Sequence, residues 1–157
     1  MTSVFGLTTR SDLCCLDYQI VPENLAMVKL VYCLCRRADI SPEEFYDYWL
    51  NTHGPKVKDA AEAMRARRYV QSHTCSPELN EVFLKSRGLA PAYDGITEVW
   101  WNSVEDLKAA MASPEGSEVM AKLMEDETHF IDFSQSCVFI TTEHSIFDST
   151  TSAESPG

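Results

Sequence analysis

The chain has 157 residues, 45% of them hydrophobic, and a formal net charge of −11. Length and composition suit one globular domain with a real core, and the acidic balance argues against a nucleic-acid partner, since phosphate contacts need clustered Lys and Arg. There is no apolar run of about 18 residues to suggest a membrane span and no basic stretch leading into an apolar one at the start, so a cytoplasmic protein is expected.

Residues 1–26 carry no clean period and read as an N-terminal arm or tail. The domain itself is expected over residues 27–148, and the small, polar 149–157 as a disordered C-terminal tail. "MVKLVYCLC" (27–35) is rich in β formers and reads as a buried first strand. In "SPEEF", Ser41 can cap a helix, Pro42 suits its first position and Glu44 completes a capping box. The helix then places Phe45, Trp49 and His53 on one face, at i, i+4 and i+8. Gly54-Pro55 follows at once and predicts a joint, with a turn at Gly54 and a fresh helical segment from Pro55.

"RRYVQSHT" (67–74) predicts a second strand, with Tyr69, Gln71 and His73 on one face. The long connection after it suggests a lid, with a short helix around "PELNEVFLKSR". "YDGITEVWW" (93–101) predicts a third strand, on which Ile96, Glu98 and Trp100 oppose Thr97, Val99 and Trp101. A second helix starts at Ser103 and restarts at Ser113-Pro114. Val119, Met120, Leu123 and Met124 give it an apolar stripe, and "SCVFITTEHSIF" (136–147) closes the domain as a fourth strand.

The order β-α-β-β-α-β predicts an α+β, ferredoxin-like fold, with the helices on one face of an antiparallel sheet. The first strand is apolar on both faces: Leu30, Tyr32 and Leu34 against Val31, Cys33 and Cys35. Helices on one side leave the other face bare, so a homodimer with sheet against sheet is expected. The six cysteines, at 14, 15, 33, 35, 75 and 137, form no C-x-x-C pair and read as reduced core residues.

"ISPEEFYDYWLNTHGPKV" closely resembles the signature helix of the EthD-domain family. "RRYVQSH", "YDGITEVWWNSVEDLKAAMASPEG", "DETHFIDF" and the late "TTEH" agree with it in order, so the resemblance covers roughly residues 28–147. It implies a dimeric α+β barrel, two ferredoxin-like sheets packed together. Related barrels include cofactor-free monooxygenases, polyketide cyclases, muconolactone-type isomerases and haem-degrading enzymes, and some fungal EthD-domain proteins act as decarboxylases or dehydratases. The resemblance therefore speaks to fold more than to reaction.

His53 is the first candidate for catalysis, because imidazole titrates near neutral pH and its helical face should look toward the sheet; the bland alternative is a capping histidine. His73, and Glu98 as a carboxylate that pairs with His53 or His73, complete the expected catalytic set. Tyr69, Gln71, Trp49, Trp100 and Phe45 are the expected substrate contacts, although the aromatics serve equally as core. Asp132 reads as a cap or an arginine partner, and His129 and His144 as bland. His53, His73 and Glu98 could make a two-histidine, one-carboxylate metal set, but no spacing motif supports it, and neither metal nor cofactor is expected.

The functional expectation is a cofactor-independent acid–base enzyme of the lyase type, a dehydratase, decarboxylase or cyclase. Its substrate would be a small hydrophobic carbonyl compound, aromatic or polyketide-like. The alternatives are a non-catalytic ligand-binding or accessory barrel of a monooxygenase system, and a cofactor-free monooxygenase.

Overall fold

A computed structural model of the chain describes residues 27–149. The expected arm at 1–26, with Cys14 and Cys15, and all but the first residue of the expected tail lie outside the described residues. Four strands, β1 (Val28–Leu34), β2 (Arg68–His73), β3 (Gly95–Trp101) and β4 (Cys137–Thr142), form one sheet in the order β2-β3-β1-β4. All three pairings are antiparallel. The helices are α1 (Pro42–Tyr48), α2 (Gly54–Ala60), α3 (Pro77–Arg87), α4 (Val104–Ala112) and α5 (Pro114–Glu127). This is the ferredoxin-like α+β fold, with α3 added between β2 and β3.

Strand β4 is shorter than its sequence suggests. Its residue Thr142 pairs with Val28, the first residue of β1, so the ladder has no partner beyond that point. Ile146 and Phe147 accordingly stand 89% and 86% exposed. The helical stretch at 77–87 forms as expected, but none of its residues is buried and none lines the main cavity. It does not act as a lid in this conformation.

Helix α1 begins as its capping box dictates. The Glu44 amide donates to Ser41 Oγ at 3.2 Å, and the Ser41 amide donates to Glu44 Oε2 at 2.8 Å. Ser103 and Ser113 cap α4 and α5 through their hydroxyls, which accept from the Asp106 and Gly116 amides. Trp49 and Phe45 are fully buried and pack with Leu34, Phe130 and Ile131 into the core between helices and sheet. Val28, Val99 and Trp101 form a second cluster under α4.

The joint at Gly54-Pro55 differs from the expected turn. The chain stays helical through Gly54, whose φ is −52° and ψ −49°. The irregularity lies just before it, as one π-helical turn over Trp49–His53, closed by the Gly54 amide donating to Trp49 O. Pro55 offers no N–H and its ring crowds the preceding residue, which normally rejects α geometry there. Glycine, lacking Cβ, accepts it. The widened turn inserts one extra residue, and both Trp49 and His53 end up inside.

Gly95, the first residue of β3, lies under the Trp49 ring. A Cβ there would sit 2.5 Å from Trp49 Cζ3 and 2.8 Å from Ser72 O. The fully buried indole has nowhere to retreat, so Gly95→Ala should cost about 1–3 kcal/mol. Urea denaturation should show this as a lower midpoint at unchanged slope; an unchanged midpoint would mean that the Trp49 packing is loose.

Candidate active site

Two elements converge beneath the sheet. The π turn delivers His53, and the last turn of α5 delivers Asp126 and Glu127. His53 is 5% exposed and its ring leans on Phe130 at 5.1 Å. Its Nδ1 lies 2.8 Å from Asp126 Oδ2. The other carboxylate oxygen of Asp126 accepts from Tyr48 Oη at 2.7 Å and pairs with Lys56 Nζ. Burial pushes the Asp126 carboxyl up, but the bonds from Lys56, Tyr48 and His53 outweigh it and hold the group down at about 2. Asp126 is therefore an anion and an acceptor only, so His53 carries its proton on Nδ1 and keeps a lone pair on Nε2. Burial also holds the imidazole below its ordinary value, against the pull of Asp126, and keeps it neutral near pH 7.

His53 borders a cavity of about 450 Å³ between the helices and the sheet. Tyr32, Tyr69, Thr97 and Trp101 supply its sheet wall, and Trp49, Val57, Met120, Leu123 and Glu127 its helix wall. Met111, Met124, Val138 and Ile140 line it while remaining half or more exposed to solvent, or nearly so, and form its rim. The size is that of an ordinary small-molecule site, and the lining is mostly apolar with a few polar groups. Among these, Glu127 is half-buried, and withdrawal from water, with the nearby charge of Asp126, pushes its carboxyl up to about 7.

The expected site residues are divided by the structure. His53, Trp49 and Tyr69 meet at the cavity. Gln71 and His73 share their face but belong to a network behind it. Trp49 Nε1 and Gln71 Nε2 both donate to Tyr69 Oη, at 3.3 and 3.0 Å, and His73 Nε2 lies 3.1 Å from Gln71 Oε1. His73 is stacked between Trp49, 4.6 Å away, and Tyr46, 4.9 Å away. Phe45 is core and does not reach the cavity.

Glu98 and Trp100 are on the wrong face for the expected roles. The register places Glu98 opposite Val31 and Val70, away from the helices. Its carboxylate pairs with Lys29 Nζ at 2.7 Å rather than with His53 or His73. Trp100 lies beside it, bonded to Glu143 and flanked by Lys29 and Arg68. The sheet thus separates Glu98 from His53, and the two-histidine, one-carboxylate set is not assembled. Among the described residues no group of three or more His, Cys, Asp or Glu is placed to hold a metal. Among the described residues Asp132 takes no arginine and instead accepts from Ser134 in a local turn.

The sequence reading passed over Asp126, the partner of His53, and Lys56 and, in this role, Tyr48, which bind Asp126. A signal for Asp126 was present. The apolar spacing Val119, Leu123 continues at i+7 with Asp126, and the spacing Met120, Leu123, Met124 continues at i+7 with Glu127. Two carboxylates in core register call for a partner or a cavity.

The family model described as the EthD domain matches residues 37–134. The chain belongs to the EthD-domain family. That match contains the π turn, His53 and the Asp126–Glu127 pair, while Tyr32, Val138 and Ile140 of the cavity lining fall outside it. Solved structures agree on the fold. An EthD family protein from Bacillus halodurans aligns with a TM-score of 0.50 and 22% identity, covering 75% of this chain and 99% of that one. A hydroxynitrile lyase from Passiflora edulis aligns at 0.52 and 12% identity, covering 79% and 99%. A dimeric ferredoxin-like protein of unknown function from Bacteroides fragilis aligns at 0.50 and 12%, covering 74% and 96%. No curated protein sequence matches this EthD-domain chain. None of the helices among its described residues is long and apolar enough to cross a membrane.

Proposed function

We propose that the protein is a cofactor-independent acid–base enzyme of the lyase type. Its substrate is a small hydrophobic carbonyl compound, aromatic or polyketide-like, that loses water, loses carbon dioxide or closes a ring. One observation carries this reading: a buried, neutral histidine, oriented by an ionised aspartate, on the wall of an apolar cavity. In dehydration or ring closure His53 Nε2 takes a proton from the carbon next to the carbonyl and returns it to the departing hydroxyl or the new alkoxide; in decarboxylation it moves the carboxyl proton to the carbon that carbon dioxide leaves. Asp126 holds Nδ1–H and stabilises the imidazolium that results. The apolar lining keeps water away from the charge that develops. The Passiflora neighbour, named a hydroxynitrile lyase, supports a lyase reading on this fold. Cytoplasmic location belongs to the same reading and rests on the cysteine usage of the sequence.

The test is turnover of a panel of β-hydroxy ketones, β-keto acids and linear aromatic polyketide-type ketones, followed by mass spectrometry with and without oxygen. Turnover without oxygen or added cofactor supports the reading. Strict oxygen dependence would replace it with a cofactor-free monooxygenase, and tight binding without turnover would replace it with a ligand carrier or accessory barrel.

The homodimer is part of the proposal. The sheet face away from the helices presents Val31, beside the segment 143–148, with Ile96 and the 48% exposed Phe139. Packing this face on a second copy would close the barrel. Light scattering should return about twice the chain mass of 17.7 kDa; a monomer would refute the barrel.

A further inference from the structure

Glu127 is the one carboxyl on the cavity wall, and the mechanism above leaves it unused. Among the described residues nothing hydrogen-bonds or ion-pairs with it. Its surroundings among the described residues offer no countercharge. From its own helix it feels the Asp126 anion; β1 and β2 present only the neutral phenols of Tyr32 and Tyr69. On the helix side, His53 is neutral, Tyr48 is spent on Asp126, and Lys56 is paired with Asp126. Methionines and leucine fill the space around it on α5. A carboxylate would be poorly placed here. A carboxylic acid would be well placed, with one O–H to donate and no protein acceptor to receive it.

We propose that Glu127 is the polar anchor of the cavity: as a neutral acid it donates a hydrogen bond to an uncharged oxygen of the substrate, a ketone carbonyl or a phenol. This deepens the proposed function by naming what the substrate must carry at that end. A group that donates to a carbonyl oxygen also draws electrons from the neighbouring C–H bond, which is the bond His53 is placed to break. A substrate with an ammonium at this position is disfavoured while Glu127 is neutral, for want of an anion, and one with a free carboxylate is disfavoured once Glu127 ionises, by repulsion. The burial that raises the Glu127 carboxyl to about 7 keeps the donor form populated up to that pH.

Binding tests this without turnover, so it can fail separately from the lyase reading. Three probes with one ring system serve: 2-acetylnaphthalene, 2-naphthoate and 2-naphthylmethylammonium. Calorimetric titration of the full chain would run from about pH 5 to about pH 9. At acid pH the ketone should bind more tightly than the ammonium probe, and its affinity should fall above about pH 7 by about tenfold in all as the donor is lost. Glu127→Gln, which keeps an N–H donor, should bind the ketone with no pH step. Glu127→Leu should bind it about tenfold more weakly at acid pH. Infrared difference spectra at about pH 6 should show a protonated carboxyl band that Glu127→Gln lacks. Preference for the ammonium probe at about pH 5, equal ketone binding by the Leu variant at that pH, failure of the ketone to bind, or absence of that band would each overturn the proposal.

Discussion

His53→Ala should lower kcat/KM about 100-fold or more on any substrate that the wild-type chain turns over. The loss should fall mainly on kcat, because the imidazole acts on the proton in flight and contributes little to holding an apolar ligand. Stability should fall as well, by about 1–3 kcal/mol, since the ring leans on Phe130 and supplies one of the bonds to Asp126. Rates must therefore be compared at matched folded fractions. Free imidazole should restore part of the rate, because the substitution leaves a void of its shape beside an intact Asp126. A rate near wild type would remove His53 from the mechanism and favour the ligand-binding reading.

Asp126→Asn should have the second-largest effect, on both rate and stability. Asparagine can accept or donate, so the His53 tautomer is no longer dictated, and the imidazolium loses its counterion. Turnover should drop about 10- to 100-fold. The stability effect has a definite sign. The Asp126 carboxyl is held at about 2 in the folded chain against an ordinary 3.8. Its contribution is therefore fully present above about pH 4 and lost as pH falls through about 2, and it amounts to about 2 kcal/mol at neutral pH. Urea midpoints for wild type and variant should differ at pH 7 and draw together below about pH 4. A gap that stays constant with pH would show that packing, not charge, stabilises this corner.

Much of the fold was legible along the chain. The capping box at Ser41 and Glu44, the Pro42 and Pro114 starts, and the alternation of β1, β2 and β3 all depend on neighbours within a few residues. The end of β4 was not, because it depends on where β1 begins, more than a hundred residues earlier in the chain. The joint after His53 was half legible. Gly54-Pro55 announced an irregularity, but whether a helix turns, breaks or widens is decided by what it must bury. Here Trp49 sits over Gly95 and has its carbonyl tied to Gln71 Nε2, and a π turn satisfies both contacts.

The candidate site shows the same division more sharply. Alternation correctly grouped Glu98 with Ile96 and Trp100, and Tyr69 with Gln71 and His73. It cannot say which group faces the helices, because a strand read alone has two equivalent sides. Cross-strand register settles that, with Glu98 opposite Val70 and Thr97 opposite Gln71. By itself, then, the sequence determined the elements, their order, the family and a histidine at the inner end of the first helix, since each follows from short-range spacing and local propensity. Only the tertiary structure decided that Asp126, 73 positions away, orients His53, and that Glu127 stands on an apolar cavity with no partner among the described residues. The physical reason is that hydrogen bonds and burial act over a few ångströms of space, and the distance along the chain between two groups says nothing about that separation until the sheet and helices have packed.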